Sequence, residues 1–429
     1  MPTYWETFRN LADRPRHINS PAYDFSIREL ARIYKLDVIR FAESEARNGW
    51  VIPRKYRVRE ATIKRDGHLI YDAGSHPLGV ISYSAPFSGT VSKRELLQHI
   101  HFDARNLDWI PYHFRQTYRP WARDWGFCMP QRIVEDLAEG DYEILIDIEE
   151  GEAELLVARG VIGGRSGLNF ALVAHLDHPG MANDGLSGVM VACEVLNRLQ
   201  GSDLEYGIEV LIVPEIIGTE HYLGSEINPT PLEGLFIESV GRKNSFVLQS
   251  SLTKSHIVEN SLAEIILAKD SSAEIADYKE IFGNDEGCFE AYGCPMPALH
   301  RGQFSGYHSS ADNFSAIDQE AIEESISLVL RLVEKIQTEI VIRKNFQGVV
   351  ALANPVFGVY VDPGQPGFGS KPEDPSLRRV MEIMFLPERV VSVNEICQKA
   401  DSDVASTFRY LKAWQSCGLI DIFGAEFRE

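Results

Sequence analysis

The segment Ala174-His175-Leu176-Asp177-His178-Pro179-Gly180, running on to Asn183-Asp184-Gly185-Leu186-Ser187-Gly188, constrains the fold more than any other part of this chain. The apolar stretch Phe170-Ala171-Leu172-Val173-Ala174 leads straight into it and reads as a short buried strand. Behind it, Val189, Val191, Ala192, Val195, Leu196 and Leu199 recur at helical spacing. A buried strand, a polar glycine-rich turn and a helix form the opening of a crossover unit. Val210-Leu211-Ile212-Val213 and Leu235-Phe236-Ile237 supply two further buried strands, and residues 318–339 a final helix. This alternation predicts an α/β fold, a mixed sheet with helices on both faces. In such sheets the ligand site lies beyond the carboxyl ends of the strands. His175, Asp184, Glu215 and Glu238 all fall there, and the polar turn Tyr307-His308-Ser309-Ser310-Ala311-Asp312 adds a distant histidine.

The rest of the chain divides around this unit. With 429 residues it exceeds one ordinary domain. Residues 1–49 carry Phe25, Ile27, Leu30, Ile33, Leu36, Ile39 and Phe41 at three- and four-residue spacing, which predicts N-terminal helices that belong to the main domain. Residues 50–125 change texture: short apolar runs alternate with the turns Asp66-Gly67 and His76-Pro77, predicting an inserted β-rich domain. That domain ends in an aromatic block over residues 109–127, read as core or as a domain interface over the cleft. The main domain resumes over residues 126–345, with two strands expected over 142–161. A Pro/Gly-rich linker follows over 346–374. Residues 375–429 offer three short helices and the strand Ile420-Asp421-Ile422-Phe423, the pattern of a winged helix-turn-helix.

Charge and cysteine content narrow the function. The formal charge of -20, from 42 basic and 62 acidic residues, opposes nonspecific binding to nucleic acid or to anionic membranes. The winged-helix segment has seven basic and eight acidic residues, without the basic footprint of a DNA reader, so it reads as a packing or protein-interaction module. The six cysteines are scattered without a C-x-x-C pair, and no signal peptide or membrane span is evident, so a cytoplasmic protein is expected.

The polar turns have the composition of a metal centre. Zn²⁺ takes imidazole and carboxylate ligands, and a catalytic site keeps a position open for water. Two ions about 3.5–4 Å apart can share a bridging carboxylate. The strand ends offer His175, Asp184, Glu215, Glu238 and His308 as ligands, with Asp177 placed to hold the His175 imidazole. His178 reads as a turn residue, with an extra ligand as the alternative.

At these residues the chain resembles the M28 family of zinc aminopeptidases. The resemblance rests on His175-x-Asp177, Ala182-Asn183-Asp184-Gly185-Leu186-Ser187-Gly188, Glu238-Ser239-Val240-Gly241 and Tyr307-His308-Ser309-Ser310, and covers about residues 130–340 with the first helix. Trp125-Gly126-Phe127-Cys128 and Pro214-Glu215-Ile216-Ile217-Gly218 resemble more closely a bacterial aminopeptidase-like branch of M28 (DUF2172/DUF4910-like). That branch carries an inserted β-rich domain and a C-terminal winged helix, and its members are often linked to surface-polysaccharide synthesis. The resemblance implies a phosphorylase/hydrolase-like sheet, one or two zinc ions, and a small peptide or N-acyl amide as substrate. It implies that Asp184 bridges the ions, that His175 and Glu238 hold one, and that Glu215 and His308 hold the other. Asn284-Asp285-Glu286 resembles the segment that precedes the last ligand in that family.

One departure stands out. The family has adjacent glutamates, base then ligand, where this chain has Pro214-Glu215. Glu215 is therefore expected as ligand or base, with Asp177 and Glu220 as the other catalytic carboxylates. Asp285, Arg301 and Tyr307 are candidates for substrate contact, although Asp285 and Asp312 also suit turn caps and Arg301 a solvated surface. A homo-oligomer is left open. Two other readings remain: a catalytically degenerate binding or scaffold protein, and a DNA-binding regulator acting through the winged helix.

Overall fold

The computed structural model describes residues 3–42, 46–152, 154–225, 230–254, 257–364, 374–386 and 390–424. Eight strands form the central sheet: β1 (Asp37–Ala42), β2 (Glu154–Ile162), β3 (Asn169–His175), β4 (Gly207–Val213), β5 (Gly234–Ile237), β6 (Val247–Gln249), β7 (Glu274–Ala276) and β8 (Ala298–His300). Their order is β1-β2-β4-β3-β5-β8-β6-β7. The middle strands β4, β3, β5 and β8 are parallel, while β2 and β6 run antiparallel to their neighbours β4 and β8. The sheet is mixed, as the alternation of strands and helices predicts.

Side-chain parity along the parallel strands divides the core. Phe170, Leu172 and Ala174 of β3 join Ile208, Val210 and Ile212 of β4 in the larger cluster. Helices α1 (Tyr4–Ala12), α2 (Pro21–Tyr34), α3 (Gly188–Arg198), α5 (Val258–Lys269) and α7 (Gln319–Ile336) cover that face. Ala171, Val173, Leu211, Val213 and Phe236 point the other way, into a smaller core closed by α4 (Ile217–Leu223) and α6 (Glu286–Ala291). Each fully buried aliphatic side chain contributes about 1.5–3 kcal/mol, so the period-two pattern fixes the register firmly. It also aims the site. His175, Glu215 and Glu238 have the parity of Val173, Val213 and Phe236, so all three project on the same side at the carboxyl end of the sheet.

Three segments differ from the sequence expectation. Residues 37–42, expected within a helix, form β1 and pair antiparallel with β2. Ile39 and Phe41 fit a strand's alternation as well as a helical spacing, and Lys35 ends α2 in the left-handed conformation. The strand at Asp141–Gly151 lies in the inserted unit, between Lys55–Arg65 and Phe87–Ser92, so that sheet closes well past residue 125. Its buried residues Tyr142, Ile144, Ile146 and Ile148 complete the inserted core with Tyr56, Ile63 and Phe127. Strand pattern alone cannot say which sheet a strand joins.

At the C-terminal end, helices at Pro375–Ile383, Val393–Ala400 and Val404–Ser416 pack on a three-stranded antiparallel sheet. The middle strand of that sheet is Val341–Lys344, which precedes the expected linker. Residues 346–364 fold onto the same core through Leu352 and Val361, and residues 365–373 lie outside the described residues. No helix among the described residues is long and apolar enough to cross a membrane.

Candidate metal centre

Strand β3 ends at His175, and the chain then turns through Asp177 and His178 to Asp184 before entering α3. This turn is tightly built. Gly185 has φ 84° and its Cα sits against His175, where an added Cβ would come 2.7 Å from the His175 carbonyl oxygen and 2.8 Å from its ring. A Cβ on Gly188 would lie 1.8 Å from the Ile237 carbonyl oxygen, so glycine there lets α3 meet β5 backbone to backbone. Ser187 accepts from the Val240 N–H at 3.0 Å, and the Asn183 side chain accepts from the Gly241 N–H at 2.8 Å. The Asn-Asp-Gly-Leu-Ser-Gly segment thereby ties the turn to the Glu238 turn.

Two buried charged residues hold the turn from outside. The Asp312 carboxylate accepts the N–H groups of Asn183 at 2.6 Å and Asp184 at 2.9 Å, with Ala182 at 3.3 Å. Burial beside Asp184 raises the Asp312 carboxyl to about 7, against the pull of those three donors. Arg16, entirely inaccessible, donates to the carbonyls of Leu176 at 3.0 Å, Met181 at 2.6 Å and Ala12 at 2.9 Å, and to that of Leu11. Burial lowers its guanidinium to about 10, and Asp312 and Asp177 oppose that shift. The guanidinium fork thus spans both limbs of the His175–Asp184 turn.

Asp184 is the centre of the cluster. Its Oδ1 lies 3.3 Å from His175 Nε2, and its Oδ2 lies 3.1 Å from His178 Nδ1 and 3.0 Å from His308 Nε2. Glu238 Oε2 is 3.6 Å from His175 Nε2, and Asn284 donates to that oxygen at 2.6 Å. Asp177 Oδ1 stands 3.7 Å from His175 Nδ1 and accepts the Glu215 N–H at 2.8 Å. Glu215 Oε2 faces His178 Nε2 at 3.4 Å and accepts from the Tyr118 hydroxyl. His175, Asp184, Glu238 and His308, read from widely separated turns, thus stand in one cluster with Glu215 at its edge.

Its electrostatics show a deficit of positive charge. Burial pushes both His175 and His178 toward neutrality, yet the neighbouring carboxylates outweigh it. His175 is held well above its usual range by Asp177, Asp184 and Glu238, and His178 is held up to about 10, chiefly by Asp184. Burial and the charge of Asp184 lift Glu238 to about 7 despite His175, and burial with Glu215 nearby lifts Asp285 to about 7. Even so, His175 Nδ1 and Nε2, His178 Nδ1, His308 Nε2, both Asp184 oxygens and Glu238 Oε1 are buried without a hydrogen-bond partner. Such groups are costly to bury unless something binds them. Convergent imidazole and carboxylate atoms, short of cationic charge and of hydrogen bonds, fit a divalent cation of zinc type.

The remaining candidates sit elsewhere. Glu220, on α4, accepts from Asn48 at 3.1 Å and makes no contact with the cluster. Arg301 is neither at the cluster nor in solvent. It is buried over the Phe246 ring at 3.7 Å and engages Glu324 and the carbonyls of Asn244 and Ala321. Asp285 is buried and accepts the N–H of Ile216 at 2.7 Å, fixing a residue with φ 58° and ψ -59° directly after Glu215. Tyr307 stacks on His308 at 4.0 Å and so orients that imidazole. His178, read from sequence as a turn residue, is buried within the cluster. The Asp-His-Pro-Gly spelling favours the turn over the alternative of an extra ligand, since only the fold brings Glu215 to its other ring nitrogen.

Residues 111–114 cover the cluster from outside. Pro111 forms a β-bridge with Ser309, and Tyr112 N–H donates to the His308 carbonyl at 2.9 Å. The Tyr112 ring lies edge-on to His178 at 5.1 Å and His308 at 5.3 Å, and Phe114 packs on His308 at 5.3 Å. The aromatic block, read from sequence as core or as an interface over the cleft, does both: Ile110 and Phe127 are buried core, while Tyr112 and Phe114 pack over the cluster and Tyr118 reaches Glu215.

A family described as a domain of unknown function, DUF4910, matches residues 5–339. A curated relative from Clostridium acetobutylicum is 27% identical over 297 residues, 67% of each chain, and is provisionally described as a polysaccharide biosynthesis protein with an aminopeptidase-like domain. A crystal structure from Clostridium acetobutylicum, of a protein provisionally described as a peptidase, superposes with a TM-score of 0.73 at 21% identity, covering 98% of this chain and 96% of that one. The zinc aminopeptidase BSAP from Bacillus subtilis superposes with a TM-score of 0.57 at 16% identity, covering 77% of this chain and 94% of that one.

Proposed function

Because the chain belongs to the DUF4910 family and has the fold of M28 zinc aminopeptidases, we propose that it is a zinc-dependent hydrolase that cleaves an amide bond of a small peptide or N-acyl substrate. The observation that carries this reading is the convergence of buried, unpartnered imidazole and carboxylate atoms on Asp184. His175, Asp184, Glu238 and His308 would hold the metal, with Asp184 shared between two ions. Bound there, zinc supplies Lewis acidity, polarising a carbonyl and lowering the pKa of water toward neutrality.

The chain's own residues do the rest. Asp177 orients His175 from its outer nitrogen, and Tyr307 orients His308 by stacking. Glu215 occupies Oε2 with Tyr118 and His178, leaving Oε1 to take a proton from water and return it to the leaving amine. The surplus of carboxylates favours a cationic α-amino end on the substrate. His308 is the most exposed imidazole of the cluster, so substrate reaches it on that side, beneath Tyr112 and Phe114. These rings exclude water and limit substrate size. The compartment proposed is the cytoplasm.

The test is a panel of aminoacyl-anilides presented to the zinc-loaded full-length protein. Turnover that a chelator abolishes, and that His308→Ala lacks, is the expected result. Zinc bound at the cluster with no turnover across aminoacyl, dipeptidyl and N-acyl substrates would instead favour a catalytically degenerate binding protein.

A further inference from the structure

His178 has the surroundings of a ligand. Resting on the zinc hydrolase reading above, we propose that His178 binds the metal through Nδ1, in company with Asp184 and His308, and that Glu215 is the carboxylate that orients it. Two imidazole nitrogens, His178 Nδ1 at 3.1 Å and His308 Nε2 at 3.0 Å, converge on the same oxygen, Asp184 Oδ2. Both nitrogens are buried and neither makes a hydrogen bond. A histidine acting only as a strut between Asp184 and Glu215 would place an N–H along the line to each. Here the nitrogen toward Asp184 has the distance without the direction.

The opposite side of the ring faces a carboxylate. Histidines that ligate a metal donate their other N–H to a carboxylate, which fixes the tautomer and the ring plane. His178 Nε2 faces Glu215 Oε2 at 3.4 Å, and Tyr118 donates to that same oxygen. His175 has the matching arrangement, with Asp177 Oδ1 3.7 Å from Nδ1 and Asp184 Oδ1 3.3 Å from Nε2. Two carboxylate–histidine pairs, Asp177–His175 and Glu215–His178, therefore flank the two oxygens of Asp184. They are joined to each other by the Glu215 N–H donating to Asp177 at 2.8 Å. The His175 and His178 rings meet edge to face at 4.4 Å, and Tyr112 closes the outer side of His178 at 5.1 Å, so neither ring is free to swing.

This assignment accounts for the Pro214-Glu215 departure. The residue after Glu215 is Ile216, whose backbone is turned to φ 58° and held by Asp285, so a second carboxylate cannot come from this turn. His178 arrives from the neighbouring turn and fills that coordination place, and Glu215 remains outside it as a positioning and proton-accepting group.

The full-length protein, reconstituted with zinc and dialysed, separates the alternatives by metal count and by X-ray absorption at the zinc edge. Three imidazoles over two ions give an average of about 1.5 imidazoles per zinc, against about one if only His175 and His308 ligate. His178→Phe, which keeps a ring against Tyr112, is expected to lose one of the two equivalents, weakening it by at least about 100-fold. Glu215→Gln is expected to keep both but to weaken one by about 10–100-fold. Two zinc ions with one imidazole each, unchanged in His178→Phe, would overturn the assignment and leave the hydrolase reading standing. No zinc in the wild-type protein would overturn both.

Discussion

Replacing Asp184 with asparagine is expected to remove zinc binding and amide hydrolysis together while leaving the fold intact. Asparagine matches the volume of the side chain, and the Asp184 N–H still reaches Asp312. What disappears is a carboxylate that faces all three imidazoles, His175, His178 and His308. Mutating groups that merely support ligands costs about 10–100-fold, so loss of the shared ligand should cost at least about a thousandfold in metal affinity and in kcat/KM. Three histidines then lose a charge that, with Asp177, Glu238 and Glu215, holds two of them above their ordinary range. Metal content after dialysis, anilide turnover and the circular dichroism spectrum read the three consequences separately. Wild-type zinc content in Asp184→Asn would show that Asp184 is not shared between the ions.

The second large effect lies away from the cluster. Arg16→Met should destabilise the main domain by about 3–5 kcal/mol, because it strips a buried guanidinium from carbonyls that water cannot reach. Leu11, Ala12, Leu176 and Met181 would each lose a donor. Arg16→Lys should recover little, since one ammonium cannot span both limbs of the turn as the planar fork does. The same substitution loosens the segment between His175 and Asp184, so zinc affinity falls along with stability. Urea unfolding with and without zinc measures both. A stability loss in Arg16→Met below about 1 kcal/mol would show that the backbone of this turn holds itself.

Legibility in the sequence followed the local signal. The strands ending at His175, Val213 and Ile237 could be read because each is an apolar run followed at once, or after Pro214, by a polar residue of the site. Asp184 stood out through its Asn-Asp-Gly turn, whose glycines meet a histidine ring and a neighbouring strand. The α/β class followed from the same alternation. Long-range pairing was out of reach. The strand at Asp141–Gly151 joins the inserted sheet and β1 joins the central one, and neither partner is written into the local pattern.

The cluster divides along the same line. His178 is a ring in a His-Pro-Gly turn until Glu215, from another strand end, is brought to its second nitrogen. Arg16 reads as one more charge in an N-terminal segment rich in them, and its partners lie as far off as Leu176 and Met181. Arg301 misled for the converse reason. It is close to His308 in sequence, but it turns away to Phe246 and Glu324. Tyr118 comes from the aromatic segment, and its role depends on how that segment packs over the cleft.

The proposed arrangement places two zinc ions on either side of Asp184. It is tested most directly by anomalous diffraction at the zinc edge from crystals grown with zinc. One peak is expected between His175 and Glu238 and a second among Asp184, His178 and His308. Zinc-supplied crystals with no peak at this cluster, while its side chains keep their positions, would contradict it.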